Sequence, residues 1–392
     1  MEKLIDITNG LIAPFLDLLL KDKATKKNII WATDTYAELG EGFADTDQIQ
    51  KIRLLQHVDV IKPRIQKSWE AQQARTRKKA EVFTPAWLCN TMNNHCDAEW
   101  FGRGSVFNAE AQDHSWNAEE KPVTFPPQKR RKIPLWQRYV DSRRLEITCG
   151  EAPYLASRYD VSTGEMIYPL KNRIGQLDRK LRVVNENAAT YELWIKWAVR
   201  AVEACYGYEY QGDNLLVARI NLLLTFIEYH RERWQENPAE DMLKKIINRI
   251  TWNIWQMDGL KDIVPFGKLG EQYQPISLFE MSFEQMDDEE PEAVFCKIYD
   301  WRRDNSIVFN KLKEKRAMGK KIFDFVIGNP PYQKESSQSV SKTNGQKPMT
   351  NIFQYFQEAA DKVTNDASVL IFPGGGGFIN PEKECRSLVK DR

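Results

Sequence analysis

Asn329, Pro330, Pro331 and Tyr332 form the stretch of this sequence with the most specific chemical potential, directly behind the apolar run "FDFVIG". The Asn329 side-chain carbonyl and the Pro330 backbone carbonyl are hydrogen-bond acceptors, and the proline rings lock φ angles that set their directions. Two fixed acceptors can bind both N–H groups of an exocyclic amine such as adenine N6, whose lone pair is otherwise delocalised into its ring. An amine held in this way directs its lone pair at an electrophile. The four residues therefore predict alkylation of an amino group.

Tyr332 supplies an aromatic face beside these acceptors. An enzyme cannot reach a base inside a duplex, so the base must be flipped into a pocket, where stacking on an aromatic ring offsets part of the unstacking cost. A purely structural interpretation also exists, in which a buried strand ends in a Pro-Pro turn with a packed tyrosine. The elements around the motif favour the chemical interpretation.

Those elements follow a strand, loop, helix pattern from about residue 143. The runs "RRLEITCG", "CYGYEY", "NIWQMDG", "KIFDFVIG" and "ASVLIF" are typical of buried strands, whereas "NLLVARINLLLTFIEYH" and "NIFQYFQEAADKV" have helical periodicity. This alternation predicts an α/β fold built on a doubly wound parallel sheet. Ligands bind beyond the carboxyl ends of the strands in such sheets, and Asn329 follows one of those ends.

Length and charge limit the function classes. The chain has 392 residues, enough for two domains, and its net charge is +1 with 28% charged residues. Any nucleic-acid surface must therefore come from local clusters. Basic residues concentrate at Arg75, Arg77, Lys78 and Lys79 and in the loop 126–134. Both clusters fit phosphate contacts, and both equally fit solvated surface.

The cysteines and the N-terminus exclude other classes. The six cysteines contain no CxxC pair and no regular spacing, which argues against a zinc ribbon, a disulfide framework and any other metal site. The apolar stretch "LIAPFLDLLL" is interrupted by Pro14 and Asp17 and lacks a preceding basic region, which argues against a signal peptide or a membrane span. We expect a cytoplasmic protein with no membrane partner.

The motif at Asn329–Tyr332 and the order of the elements resemble the adenine-N6 DNA methyltransferases that use S-adenosylmethionine. The order is γ-like, as in restriction-modification methylases of the Eco57I-like type, and the resemblance covers roughly residues 75 to 380. It implies a Rossmann-like methyltransferase sheet, S-adenosylmethionine as cofactor and double-stranded DNA as substrate. It also implies that residues 329–332 lie at the target base.

The resemblance further implies where the methionine end of the cofactor binds. The family has a Phe-Thr-Pro element that contacts this end, and Phe83, Thr84 and Pro85 match it. A strand end is the alternative interpretation of these three residues.

The family's cofactor turn resembles Asp-Pro-x-Cys-Gly-x-Gly, and "EITCGEA" is similar to it. Glu146, Cys149 and Gly150 match the acid, the cysteine and the first glycine. Ala152 stands where the second glycine would be. A plain β-turn after a buried strand is the alternative interpretation.

Two further acids match family positions. Glu209 corresponds to the carboxylate that holds the ribose hydroxyls, because one carboxylate can accept two hydrogen bonds. Asp258 corresponds to the acid that meets the adenine ring. Asp213 is predicted to cap the helix that follows Glu209. Trp252 and Trp255 are predicted to be core residues, since aromatic residues at this spacing usually pack.

The predicted domains are an N-terminal helical region, 1–75, and a catalytic domain, 76–392, with an insertion at about 263–320 whose charge blocks indicate surface. The chain ends at Arg392, before any target-recognition domain. We therefore expect a C-terminally truncated enzyme, completed by that domain or by a separate specificity subunit, with a restriction endonuclease as a further partner. The alternatives are a protein glutamine N5-methyltransferase and a non-catalytic DNA-binding or assembly subunit.

Overall fold

The computed structural model describes residues 3–79, 84–126, 133–267, 293–314, 321–335 and 349–372. The helices of these ranges are α1 (Leu16–Leu19), α2 (Lys51–Gln56), α3 (Trp69–Lys79), α4 (Ala86–Phe101), α5 (Leu135–Val140), α6 (Gln176–Asn187), α7 (Tyr191–Glu203), α8 (Gly212–Trp234), α9 (Glu240–Asn253) and α10 (Phe353–Val363). The strands are β1 (Asn108–Glu110), β2 (Trp116–Ala118), β3 (Arg144–Ile147), β4 (Cys205–Glu209), β5 (Ile254–Gln256), β6 (Lys297–Asp300), β7 (Asn305–Val308), β8 (Phe323–Gly328), β9 (Gln333–Glu335), β10 (Met349–Asn351) and β11 (Thr364–Leu370).

A five-stranded sheet in the order β11-β8-β3-β4-β5 forms the centre of the fold, and every neighbouring pair in it is parallel. From β3 the chain adds β4 and β5 on one side and then returns to add β8 and β11 on the other. The strand order therefore reverses between β3 and β8. The doubly wound, Rossmann-like α/β sheet predicted from the sequence is confirmed.

Both faces of the sheet are covered, which explains why its strands read as nearly continuous apolar runs. Leu145 and Ile147 of β3 point into a core that α10 and the β6–β7 hairpin complete. Phe325 and Ile327 of β8 point the other way and pack with α4. Helix α8 is buried along most of its length, so its sequence is apolar on more than one side.

The N-terminal part contains less helix than the periodicity of residues 49–73 indicates. That stretch forms α2, a 3₁₀ turn at Arg64–Gln66 and the start of α3. Pro63 lacks an N–H and disfavours helix at the residue before it, so α2 cannot continue into α3. The Gln256 side chain accepts from the Ile30 N–H at 2.9 Å and donates to the Ile30 carbonyl at 2.8 Å, which ties this part to the end of β5. Helix α3 crosses position 75, where the domain boundary was predicted.

The predicted insertion contributes to the core where it is described. Its charge blocks lie largely outside the described residues, but β6 and β7 between them form an antiparallel hairpin. The Tyr206 hydroxyl donates to the Tyr299 carbonyl at 2.9 Å, and Ile298 is completely buried. The hairpin thus covers the face of the sheet that carries Leu145.

The described ranges contain buried cysteines, no metal-binding group and no helix suited to a membrane. Five cysteines there, all except Cys385, are buried free thiols, and no group of His, Cys, Asp or Glu residues in those ranges could hold a metal ion. None of the helices in these ranges is both long and apolar enough to cross a membrane.

Candidate active site

The reversal of strand order brings the turn after β3 and the residues after β8 side by side. Ile147 and Gly328 are register partners at the carboxyl ends of the two strands. A Cβ on Gly328 would lie 2.6 Å from the Ile147 carbonyl oxygen, so only glycine permits this approach. The next residues along each chain therefore meet, and Thr148 Oγ1 lies 3.5 Å from the Asn329 carbonyl oxygen. In doubly wound sheets this reversal is where ligands bind.

The turn after β3 has an unusual backbone. Thr148, Gly150 and Ala152 have φ angles of 47°, 54° and 62°. This left-handed conformation suits Gly150, but it is uncommon for alanine and an outlier for a β-branched threonine. Ala152 thus adopts the conformation of the glycine that it replaces in the predicted motif. Strained backbone of this kind concentrates at ligand sites.

The Glu146 side chain is buried beneath this turn. Its side chain is 1% exposed and accepts from the Leu155 N–H at 3.0 Å. Burial raises the pKa of Glu146 well above its ordinary value, although the backbone N–H groups of Tyr154 and Leu155 act in the opposite direction. The carboxyl group therefore shapes the turn from inside, and direct contact of Glu146 with a cofactor stays a prediction.

Glu209 links the turn to the end of β4. Its carboxylate accepts from the Gly150 N–H at 2.8 Å and from the Gln211 N–H at 3.1 Å, and the residue is 7% exposed. The predicted cofactor residues Gly150 and Glu209 are therefore brought together. Cys149 between them is buried, and burial raises the pKa of its thiol well above the ordinary value, so it remains a neutral packing group.

Asp258 follows β5 at the same edge of the sheet. Glu209 and Gln256 are register partners, so Asp258 lies one strand away from Glu209 and two residues past β5. The half-buried Asp258 carboxylate accepts from the Leu260 N–H at 3.0 Å. Three strand ends, those of β3, β4 and β5, thus carry the residues predicted to bind the cofactor.

Two side chains that follow β8, those of Asn329 and Tyr332, are hydrogen-bonded to each other. The Tyr332 hydroxyl donates to Asn329 Oδ1 at 2.8 Å, and both side chains are half-buried. Pro330 is buried, and Pro331 is half-buried. Burial also raises the pKa of the Tyr332 hydroxyl, so it stays protonated and remains a donor. The predicted acceptor atom on Asn329 is therefore one that a donor already approaches.

Thr84 lies against Asn329. The Asn329 Nδ2 group donates to Thr84 Oγ1 at 3.2 Å, and the Tyr154 hydroxyl donates to the same oxygen at 3.1 Å. Phe83 lies outside the described residues, and Pro85 is the residue before α4. The Phe-Thr-Pro motif predicts a contact between Thr84 and the cofactor, whereas no sequence motif includes Tyr154. The sequence signal for Tyr154 is its hydroxyl group within a stretch of otherwise apolar residues.

Asp213 does not cap α8, which corrects the expectation from sequence. The residue before this helix is Gln211, and no side chain caps it. Asp213 is 1% exposed and pairs with Lys67 Nζ at 2.8 Å and with Arg75 Nη1 at 2.7 Å. The Tyr36 hydroxyl donates to it at 2.7 Å. Arg75 is buried in this cluster and is not part of a phosphate-binding surface.

Two surface grooves among the described residues contain none of these residues. The groove between α7 and α9 is lined by side chains such as Trp197 and Arg249, and a second groove lies beside α2. The candidate site is instead defined by the strand ends and the contacts between them.

Comparison with known proteins finds one family similar to the C-terminal part of the chain. Residues 203–390 match the family model of the Eco57I restriction-modification methylase. The matched segment begins just before β4 and includes Glu209, Asp258 and residues 329–332. Neither the curated proteins nor the solved structures contain a match to the chain. Over residues 203–390, just under half of the chain, the sequence is therefore similar to the Eco57I restriction-modification methylase family.

Proposed function

We propose that this protein transfers a methyl group from S-adenosylmethionine to the N6 amine of adenine in DNA, as the modification enzyme of a restriction-modification system. The observation that carries the proposal is the meeting of Thr148 and Asn329 where the strand order reverses. The turn with left-handed backbone, which would suit a cofactor, and Asn329, whose side chain could bind an amine, meet at this reversal. The restriction-modification methylase family supplies DNA as the substrate class.

The residues at the strand ends fit the proposed cofactor. Glu209 would hold the ribose hydroxyls, since a carboxylate accepts from two hydroxyls at once. Asp258 would accept from the amine of the cofactor's adenine ring, and the left-handed backbone at Gly150 would allow close approach of the methionine moiety. When bound, S-adenosylmethionine supplies a methyl group on a positively charged sulfur, which retains the bonding electrons as the methyl leaves.

The residues after β8 would orient the target. Asn329 Oδ1 and the Pro330 carbonyl would accept from the two N–H groups of the amine, which leaves its lone pair directed at the methyl group. Asn329 Oδ1 can accept from two donors, so the amine would bind there beside the Tyr332 hydroxyl or in its place. The Tyr332 ring would then stack on the flipped base. Amide carbonyls are too weakly basic to keep the proton that the methylated amine loses, so this proton passes to water.

A methyl-transfer assay tests the proposal. The 392-residue chain is incubated with S-adenosylmethionine labelled in the methyl group and with unmethylated genomic DNA. The DNA is then digested to nucleosides. We expect label in N6-methyl-2′-deoxyadenosine and none in methylated deoxycytidine. Label in glutamine of added protein, with none in DNA, would identify a protein methyltransferase. The absence of S-adenosylmethionine binding in calorimetry would indicate a non-catalytic subunit.

A further inference from the structure

We infer that Thr84 is a positioning residue that sets the orientation of the Asn329 side-chain amide and so decides whether an acceptor or a donor faces the target amine. This inference rests on the proposed function and deepens it. It gives Thr84 a role different from the cofactor contact that its sequence motif predicts.

The contacts define a chain of hydrogen bonds through three separate elements. Tyr154, in the loop after β3, donates to Thr84 Oγ1 at 3.1 Å. Asn329, at the end of β8, donates from Nδ2 to the same oxygen at 3.2 Å. Tyr332 donates to Asn329 Oδ1 at 2.8 Å. Thr84 and Tyr154 are 3% and 2% exposed, so water cannot easily replace either group.

The orientation of this amide matters because its two ends have nearly the same shape but opposite hydrogen-bonding character. With Nδ2 on Thr84, the carbonyl oxygen is left on the side of Tyr332, where the target base would lie. A rotation by half a turn would place N–H groups opposite the N–H groups of the target amine. That arrangement repels the amine and removes the interaction that activates its lone pair.

Besides Asn329, the Thr84 hydroxyl contacts Tyr154, whose own hydroxyl also lies 3.3 Å from Met92 Sδ and so keeps a partner when the Thr84 hydroxyl is removed. Helix α4 starts two residues later with Pro85 at its N-cap and no side-chain cap. The Thr84 carbonyl, not the hydroxyl, receives the Cys89 thiol at 3.5 Å. Removal of the hydroxyl should therefore disturb Asn329 before it disturbs the helix.

Thr84→Val tests the inference, since valine keeps the shape and loses the hydroxyl. We expect the single-turnover rate of methyl transfer to fall about tenfold or more, on the scale of one lost hydrogen bond. S-adenosylmethionine affinity and the melting temperature should stay near those of the wild type. Thr84→Ser should restore most of the rate. Thr91→Val is the matched control, because Thr91 lies exposed on the nearby helix α4 and contacts Trp87 and Glu110 instead.

Two results would overturn the inference. One is an unchanged rate in Thr84→Val. The other is a loss of S-adenosylmethionine affinity that accounts for the whole loss of rate, which would return Thr84 to the cofactor.

A second measurement separates this inference from the proposed function. The side-chain amide protons of Asn329 are assigned by NMR from their loss in Asn329→Asp, and their exchange with water is compared in wild type and Thr84→Val. Faster exchange in Thr84→Val supports the positioning role even if the wild type methylates no DNA, an outcome that would refute the function alone. Equal exchange, in a wild type that does methylate DNA, would overturn the positioning role alone.

Discussion

The Asn329 amide is the group on which the proposed reaction depends most, and its surroundings agree with that role. One end of the amide contacts Thr84 and the other contacts Tyr332. Such a group can be held in place before the substrate arrives, and groups held in this way lose little free energy to reorganisation during the reaction.

Asn329→Ala should abolish methyl transfer while leaving the cofactor affinity largely intact. The expected loss is about 100- to 1,000-fold in the rate of transfer, comparable to removal of one preorganised hydrogen-bonding group at a transition state. The cofactor residues lie on other strand ends, so calorimetry with S-adenosylmethionine should give nearly the wild-type affinity. Asn305→Ala is the control, because Asn305 is exposed on β7. A large drop in cofactor affinity would contradict the assignment of Asn329 to the target.

Tyr332→Phe should retain most activity, because the ring remains for stacking and only the hydroxyl bond to Asn329 is lost. Tyr332→Ala should weaken target binding by about 1 to 3 kcal/mol, the scale of base-aromatic stacking. Fluorescence of a duplex with 2-aminopurine at the target position would report both base flipping and affinity. Equal damage from the two substitutions would assign the role to the hydroxyl and remove the stacking interpretation.

Among the elements, the turn after β3 is the one whose backbone departs most from the ordinary. Three of its residues, Thr148, Gly150 and Ala152, have positive φ. The Glu209 carboxylate holds the turn from β4, and Glu146 holds it from below.

Gly150→Ala should therefore lower both stability and cofactor affinity. An alanine at φ 54° costs about 1 to 2 kcal/mol of conformational energy. Any relaxation of the turn would move the Gly150 N–H away from Glu209. Gly104→Ala is a suitable control, since a Cβ there meets nothing within 4 Å. Chemical denaturation and calorimetry would check both effects, and wild-type values for Gly150→Ala in both would contradict the importance of this backbone.

The strands could be predicted from the sequence, but the contacts between residues far apart in the sequence could not. Buried parallel strands are short apolar runs, so β3, β4, β5, β8 and β11 could be recognised locally. The contact between Thr84 and Asn329 joins residues 245 positions apart, and no local pattern encodes it. Ala152 shows a related limit. The sequence has alanine where the family motif has its second glycine, yet Ala152 has a positive φ angle of 62°, as such a glycine would.

For the molecule as a whole, Asp213 attaches the N-terminal part to the central sheet, as Gln256 does at the end of β5. Its partners Lys67 and Arg75 lie 146 and 138 positions away, so sequence reasoning could assign only a local capping role. Burial by itself would raise the pKa of Asp213, but Arg75 and Lys67 outweigh burial and hold this pKa well below its usual range.

Asp213→Asn should lower the free energy of unfolding by about 3 to 5 kcal/mol, because it leaves two buried cations without their counter-charge. Asp17→Asn is the control, since the Asp17 carboxylate pairs with Lys51 at 3.3 Å on the surface and is 63% exposed. Urea denaturation of both variants would measure the difference. A loss for Asp213→Asn no larger than that for Asp17→Asn would contradict the anchoring role.

The same cluster predicts a dependence on pH. A carboxyl group with a lowered pKa in the folded state contributes stability above its unfolded pKa, and this contribution is lost as the pH falls below about 4. The stability difference between wild type and Asp213→Asn should therefore be full at pH 7 and should shrink as the solution is acidified below about pH 4. A difference that stayed constant down to pH 2.5 would show that the ion pairs do not set it.

The role of Asn329 in activating the adenine amine is tested by comparing wild type with Asn329→Ala in one experiment on unmethylated DNA with labelled S-adenosylmethionine. We expect label in N6-methyl-2′-deoxyadenosine from the wild type only, and comparable binding of S-adenosylmethionine to both proteins. Equal methylation by the two proteins, with comparable cofactor binding, would contradict the claim that the residues after β8 activate an adenine amine.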